Sequence, residues 1–216
     1  MKKIFVTFAG LIIFLSVFTS CLPASEKFNV FKSITFGSDI ESVENILNKY
    51  KIKYSKLWPA AGFEIDADNP EEIADALLNQ GAGFLGEGLY KDSLYYVQLI
   101  SGIQFESTIY FYKGVCTSIK LKAYVEESYS DYAEKGYPHA EKLKKYICQI
   151  YPDKSFVDAG LDSLGHNIYV MQVSDTVTIT IRTDRFNLEC YIEDSELQKP
   201  YKELIEKVND LTHYYW

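Results

Sequence analysis

The chain has 216 residues, 47% hydrophobic and 15% aromatic against 24% charged, with a formal net charge of −8. That apolar content is too high for a disordered segment and long enough to bury a sizeable core. The acidic balance, with no basic stripe, argues against a nucleic-acid partner, because phosphate backbones are held by clustered Lys and Arg.

The first element is not part of the fold. Lys2 and Lys3 precede an uncharged, mostly apolar run over residues 4–18, fifteen residues in all. A helix needs roughly twenty to cross the hydrocarbon core, so a signal peptide is expected rather than a transmembrane anchor. The segment Val17-Phe18-Thr19-Ser20-Cys21 that follows resembles the lipobox of bacterial lipoproteins, with Phe18 and Ser20 standing where Leu and Gly or Ala are usual. The resemblance implies cleavage before Cys21, acylation of its sulfur, and a protein tethered to a membrane of the cell envelope, facing the periplasm or the exterior. Ordinary secretory cleavage is the alternative. Loss of residues 1–20 leaves 196 residues with 20 basic and 30 acidic side chains, a net charge near −10. No lysine cluster lies near the anchor, so attraction to anionic lipid adds little.

Residues 21–33 read as a lipidated tether. Organised structure is expected from residue 34, as a helix-plus-sheet unit over 34–125 and a second over 126–216. Ser38 followed by Glu41 has the spacing of a capping box, and Ile40, Val43, Leu47 and Tyr50 recur at helical spacing behind it, predicting a helix over 39–50. A strand is expected over 51–58. Asn69-Pro70-Glu71-Glu72 then supplies a cap, a proline at the first helical position and acids in the first turn of a helix that Gly81 ends. From residue 94 to 124 the period changes to two, and Lys113-Gly114 offers a tight turn within an antiparallel meander. The order then repeats. Ala140, Leu143, Ile147 and Ile150 mark a helix, Val177, Ile179 and Ile181 alternate as a strand, and so do Leu188, Cys190 and Ile192. Tyr201, Leu204, Ile205, Val208 and Leu211 mark a closing helix. The class expected is α+β, an antiparallel sheet packed by amphipathic helices, with two tandem helix-plus-sheet units suggested by the repeated order.

Phe36, Gly37, Ser38 and Val43 also give residues 34–47 a likeness to the opening of small periplasmic lipoproteins of the barrel-assembly accessory type and of the related β-lactamase-inhibitor-like domains. That resemblance implies a capped helix against antiparallel strands and carries over no functional residue. The insertion over 59–89 departs from the compact pattern.

Chemical motifs are weak. The GxGxxG string at residues 81–86 follows a helix, whereas a dinucleotide site needs a strand before it and a helix after it. Asp162-Ser163-Leu164-Gly165-His166 lacks the glycine two places before the serine that a nucleophile elbow requires, and reads as a polar loop. His139, His166 and His213 share no metal-ligand spacing, and Asp66 and Asp68 open no complete calcium loop. Glu126, Glu127 and Asp131 read as a solvated cluster, and His213-Tyr214-Tyr215-Trp216 as aromatics packed on the body rather than a barrel's closing strand. Cys116, Cys148 and Cys190 contain no CxxC and permit at most one internal disulfide; buried free thiols are the commoner outcome. No cofactor, metal or catalytic residue is therefore expected.

The remaining signal is tyrosine, eighteen in all. If Phe105, Ser107, Ile109 and Phe111 face the core, Tyr110 and Tyr112 face water, and these two are the candidate binding surface. The function expected is a non-enzymatic protein-binding or scaffolding lipoprotein. The alternative is a sugar- or peptide-binding module using exposed tyrosines.

Overall fold

The computed structural model describes residues 27–57, 69–80, 92–125 and 137–213. Cys21, the glycine run 81–86, Asp66 and Asp68, the acids at 126–131 and the aromatics at 214–216 lie outside them. The described residues from 31 onward form one compact unit. The fold is α+β: an eight-stranded, wholly antiparallel sheet with helices packed on it.

A short helix, α1 (Val30–Ser33), leads to α2 (Ile40–Lys49). The cap of α2 is Asp39, not Ser38: Asp39 Oδ1 accepts the Ser42 backbone N–H at 2.7 Å. Ser38 is instead held through its backbone, bonding Thr35 O and Cys116 N, so the cap falls one residue later than the Ser-x-x-Glu spacing suggests. Strand β1 (Tyr54–Leu57) and helix α3 (Pro70–Gln80) follow. Asn69 Oδ1 accepts from Glu71 and Glu72 N–H, the cap expected of Asn-Pro-Glu-Glu.

Strands β2 (Asp92–Ile100), β3 (Ile103–Tyr112) and β4 (Val115–Tyr124) form a meander through two tight turns. Ser101-Gly102 and Lys113-Gly114 both have positive φ at both turn positions (50° and 80°, 52° and 80°), the handedness that matches the twist of the flanking strands and that glycine supplies without strain. Helix α4 (Pro138–Ile150) precedes a second meander: β5 (Val157–Leu161), β6 (Asn167–Gln172), β7 (Val177–Thr183) and β8 (Asn187–Asp194). The spatial order is β1-β2-β3-β4-β8-β7-β6-β5. Each half is thus a helix followed by a four-stranded meander, and the halves join where β4 pairs β8, leaving β1 and β5 as the edges.

Register explains the core. Leu94, Ile109, Ile119, Ile192, Ile179 and Met171 are cross-strand partners in one row over six strands, each at most 3% exposed. The next row runs Tyr96, Ser107, Leu121, Cys190, Ile181 and Tyr169. Helices α2 and α4 cover this face with Val43, Leu47, Ala140, Leu143 and Ile147, all fully buried. Glu44 reaches Lys56 at 3.1 Å, and Lys144 Nζ lies 4.0 Å from the centre of the Tyr169 ring. The hydroxyls inside are satisfied: Gln98 Nε2 donates to Ser107 Oγ and Tyr96 Oη at 2.8 and 3.2 Å.

The closing helix, α5 (Ser195–His213), starts six residues before Tyr201 and carries Pro200 inside. Asp194 Oδ1 caps it by accepting from Glu196 and Leu197 N–H, so the start is fixed at the end of β8 despite the proline. Helices α3 and α5 pack together on the other face of the sheet, where Ile73, Tyr201, Leu204 and Val208 surround Tyr112. This corrects the expected exposure of Tyr110 and Tyr112. Both do point away from Phe105, Ser107 and Ile109, but each is only 8% exposed, because that end of the second face is itself covered. The Tyr112 and Tyr201 rings meet edge-on at 5.5 Å.

Candidate binding face

Beyond α3 and α5, the second face carries two ordered rows. Across the strands, Tyr95, Thr108, Lys120, Tyr191, Thr180, Val170 and Val157 are successive partners, and Val97, Glu106, Lys122, Glu189, Arg182 and Ile168 form the next row. The second row alternates in sign from Glu106 to Arg182, which places opposite charges on neighbouring strands.

At the centre, where β4 meets β8, side chains satisfy one another. Lys120 Nζ lies 3.6 Å from Glu189 and 5.3 Å from the Tyr191 ring centre, and the Tyr191 hydroxyl donates to Glu189 at 2.8 Å. Burial, together with the hydrogen bond to Glu189, pushes the Tyr191 hydroxyl up to about 12, against the opposing pull of Lys120. Lys120 and Glu189 are only 14% and 15% exposed, so this centre is a sealed polar joint and not a free surface.

One accessible part lies on β2 and β4; on the far edge strand Val157 is exposed too. Val97, Leu99 and Tyr124 are 47%, 72% and 71% exposed, and the Lys122 ammonium sits 5.0 Å from the Tyr124 ring centre. Exposed large apolar groups gathered beside charged ones resemble the make-up of recognition surfaces more than that of solvated sheet.

At the far side, two hairpin turns are tied together. Asp162 Oδ1 accepts from the N–H groups of Leu164 and His166, shaping the β5–β6 turn, and Asp184 Oδ1 does the same for Phe186 and Asn187 in the β7–β8 turn. His166 bridges them, with Nδ1 3.0 Å from Asp162 Oδ2 and Nε2 3.1 Å from Asp184 Oδ2. Arg182 adds a contact to Asp162 at 2.7 Å. Burial works to raise the Asp162 carboxyl, but hydrogen bonds from His166 and Leu164 and the Arg182 charge outweigh it and hold it near 2. Asp184 is likewise held below its ordinary value by Asn187, Phe186 and His166 against the cost of burial. With both ring nitrogens turned to carboxylates, His166 has none aimed at a hydroxyl, so the segment Asp162–His166 serves as a braced turn.

Among the described residues, no group of three or more His, Cys, Asp or Glu is placed to hold a metal ion, and no helix is long and apolar enough to cross a membrane. Cys116, Cys148 and Cys190 are free thiols; burial pushes Cys116 up to about 12 and Cys190 higher still. Comparison with protein-family models, curated proteins and solved structures finds no match.

Tyr110 is therefore buried and Tyr112 lies under helices, while Tyr124, one of the eighteen tyrosines, and Val97 and Leu99, which no tyrosine count singles out, are exposed. The sequence carries a signal for them. In Leu94-Tyr95-Tyr96-Val97-Gln98-Leu99-Ile100 both alternating sets are largely apolar, and a strand with one wet face does not need the second.

Proposed function

We propose that the protein is a lipid-anchored, extracytoplasmic binding protein that recognises a partner protein through the β2–β4 flank of its open sheet face. The observation that carries this reading is the exposure of Val97, Leu99 and Tyr124 together on a rigid sheet, next to Glu106 and Lys122. Anchors of this kind, held in place by a scaffold and rimmed by charges, concentrate binding energy in a few residues. The anchoring half rests on the lipobox-like Val17–Cys21 segment.

Two experiments test the two halves separately. Photo-crosslinkers at Leu99 and Tyr124 in native membranes should capture the same protein, while one at Val157, exposed on the opposite edge strand, should not. Equal capture from all three positions refutes the patch. Cys21→Ser should abolish acylation and release the protein or leave it unprocessed; an unchanged mass and detergent partitioning refutes the anchor. A sugar- or peptide-binding module is the second reading, favoured by the exposed Tyr124 ring beside Lys122. Saturable oligosaccharide or peptide binding lost in Tyr124→Ala would select it.

A further inference from the structure

Among the described residues, five of the seven exposed large apolar side chains stand at one end of the sheet. Leu99 pairs Gln104 beside the β2–β3 turn, Tyr124 pairs Asn187 beside the β7–β8 turn, and Leu161 pairs Asn167 beside the β5–β6 turn. The Val125 N–H donates to Phe186 O, which fixes the β7–β8 turn against the end of β4. Leu99 and Tyr124 belong to the open face, but Leu164 (74% exposed) and Phe186 (53%) stand on the turns themselves, with Leu161 (68%) just behind.

The two turns are built alike. Leu164 comes two residues after Asp162 and Phe186 two after Asp184, and in each turn the aspartate Oδ1 accepts the N–H of that apolar residue, at 2.9 and 2.6 Å. His166 ties one aspartate to the other. Such turns ordinarily carry polar residues or glycine. Here each holds one apolar side chain out in water, beside carboxylates that already have partners: Asp162 with Arg182 at 2.7 Å and Asp184 with His166 Nε2 at 3.1 Å. Asp162 and Asp184 are balanced by Arg182 and Arg185, so this corner carries no net charge on a strongly acidic chain.

We propose that the β5–β6 and β7–β8 turns are a bilayer-contact tip, on which Leu164 and Phe186, with Leu161 behind them, enter the boundary between lipid headgroups and acyl chains. Apolar groups at that boundary sit about 5–10 Å deep. The inference rests on the anchor proposed above, which brings the body to the membrane. Phe31, the first residue of the compact unit, is held at the C-terminal end of α4, where the Tyr151 hydroxyl donates to its carbonyl. Ten residues separate Tyr151 from Leu161, and ten separate Cys21 from Phe31. A folded stretch never spans more than its extended length, about 33–36 Å for ten residues, so the tether can stretch as far from its root as the tip lies from Tyr151. A protein partner takes apolar anchors into fitted pockets near the centre of an interface. A bilayer asks for no pocket, and single apolar residues on two turns without net charge suit it better. The contact is weak by itself, but the tether keeps it at high local concentration beside the lipid. With the tip seated, Leu99 and Tyr124 lie at the same end of the sheet, so a partner on the open face is met at the membrane surface.

The test uses the full chain with an N-terminal histidine tag, held by a nickel-chelating lipid on phosphatidylcholine vesicles whether or not Cys21 is acylated. Leu164→Trp, Phe186→Trp and Val157→Trp each add one indole to Trp58 and Trp216, and the added emission is compared in plain and brominated lipid. Emission added at positions 164 and 186 is expected to be mostly lost in brominated lipid, while that added at 157, four residues or about 13 Å back along β5 from Leu161, persists. Equal emission from the tip in the two lipids overturns the proposal, as does equal quenching at 157, which would mean a body lying flat on the bilayer or unfolded in it. Methyl NMR of the parent in nanodiscs with spin-labelled lipid reads the same contact without a variant: Leu164 broadened and Val157 sharp supports it, and both sharp overturns it. Acylation of Cys21 is read separately by mass. Quenched tips on an unacylated chain would remove the anchor and keep the tip, and unquenched tips on an acylated chain would do the reverse.

Discussion

Tyr112 decides whether the second sheet face is covered at the β3 end. Its ring is 8% exposed, meets Tyr201 edge-on at 5.5 Å, and sits among Ile73, Leu204 and Val208. Tyr112→Ala empties nearly the whole ring volume at a junction of one strand and two helices. Truncating a buried aromatic to alanine costs about 3–5 kcal/mol, and helices resting on a sheet end can relax inward, so the low end, about 3 kcal/mol, is expected. Of that, the ring pair supplies about 0.5–1.5 kcal/mol. Equilibrium denaturation by guanidinium measures the total, and a double-mutant cycle of Tyr112→Leu with Tyr201→Leu isolates the pair. A loss under about 1 kcal/mol with an unchanged slope would put Tyr112 on the surface, where simple strand alternation has it. That result would also reopen Tyr110 and Tyr112 as a recognition pair. A coupling of zero would leave the burial standing and remove only the ring contact.

Three further outcomes are expected. Asp39→Ala should lower the thermal midpoint by about 2–4 °C, the scale of a lost N-cap in a chain this size, while Ser38→Ala should leave it within error; the reverse order would move the cap back to Ser38. Asp162 is held near 2 and Asp184 is also lowered, so their contribution is complete above the ordinary carboxylate range near 4 and is lost as pH falls toward 2. Stability should therefore drop over that window, and Asp162→Asn should be less stable than the parent at pH 7 but flatter below pH 4; parallel acid profiles would refute the assignment. Cys116 and Cys190 are buried, with thiols raised by burial, so a thiol reagent should leave both unlabelled in the native protein and reach them only in denaturant. Labelling of either at the rate of unfolded protein would refute the packing.

The readable and unreadable parts of this fold divide by the range of the interaction. Period two in Ile179, Ile181, Cys190 and Ile192 reports which side chains share a face, because alternation is a property of the strand alone. Asn69 and Pro70 report a helix start because a cap acts within three residues. What alternation cannot report is what lies above a face. Tyr110 and Tyr112 sit on the side the pattern gives them and are buried anyway, Tyr112 by helices that begin 42 residues before it and 83 after. The same limit hides the β4–β8 pairing, which joins residues some 70 apart, and the turn bridge, which unites Asp162 and Asp184 across two hairpins.

Coverage by α3 and α5 also sets where recognition can occur. A meander with one helical layer needs apolar side chains on one face only, and the row Leu94, Ile109, Ile119 and Ile192 supplies them. On β2, β3 and β4 the apolar groups of the other face include two contrasting sets. Tyr110 is buried, and Tyr112 is used by the chain itself to dock its closing helix. Val97, Leu99 and Tyr124 lie two or more rows further along the sheet, on the flanking strands β2 and β4, and stay exposed. The closing helix stabilises only the end it covers, so it offers no folding reason for Val97, Leu99 and Tyr124 to be apolar. Polar replacements at Val97 and Leu99 should thus leave the fold intact, which denaturant midpoints equal to the parent's would bear out and which the proposed partner face requires.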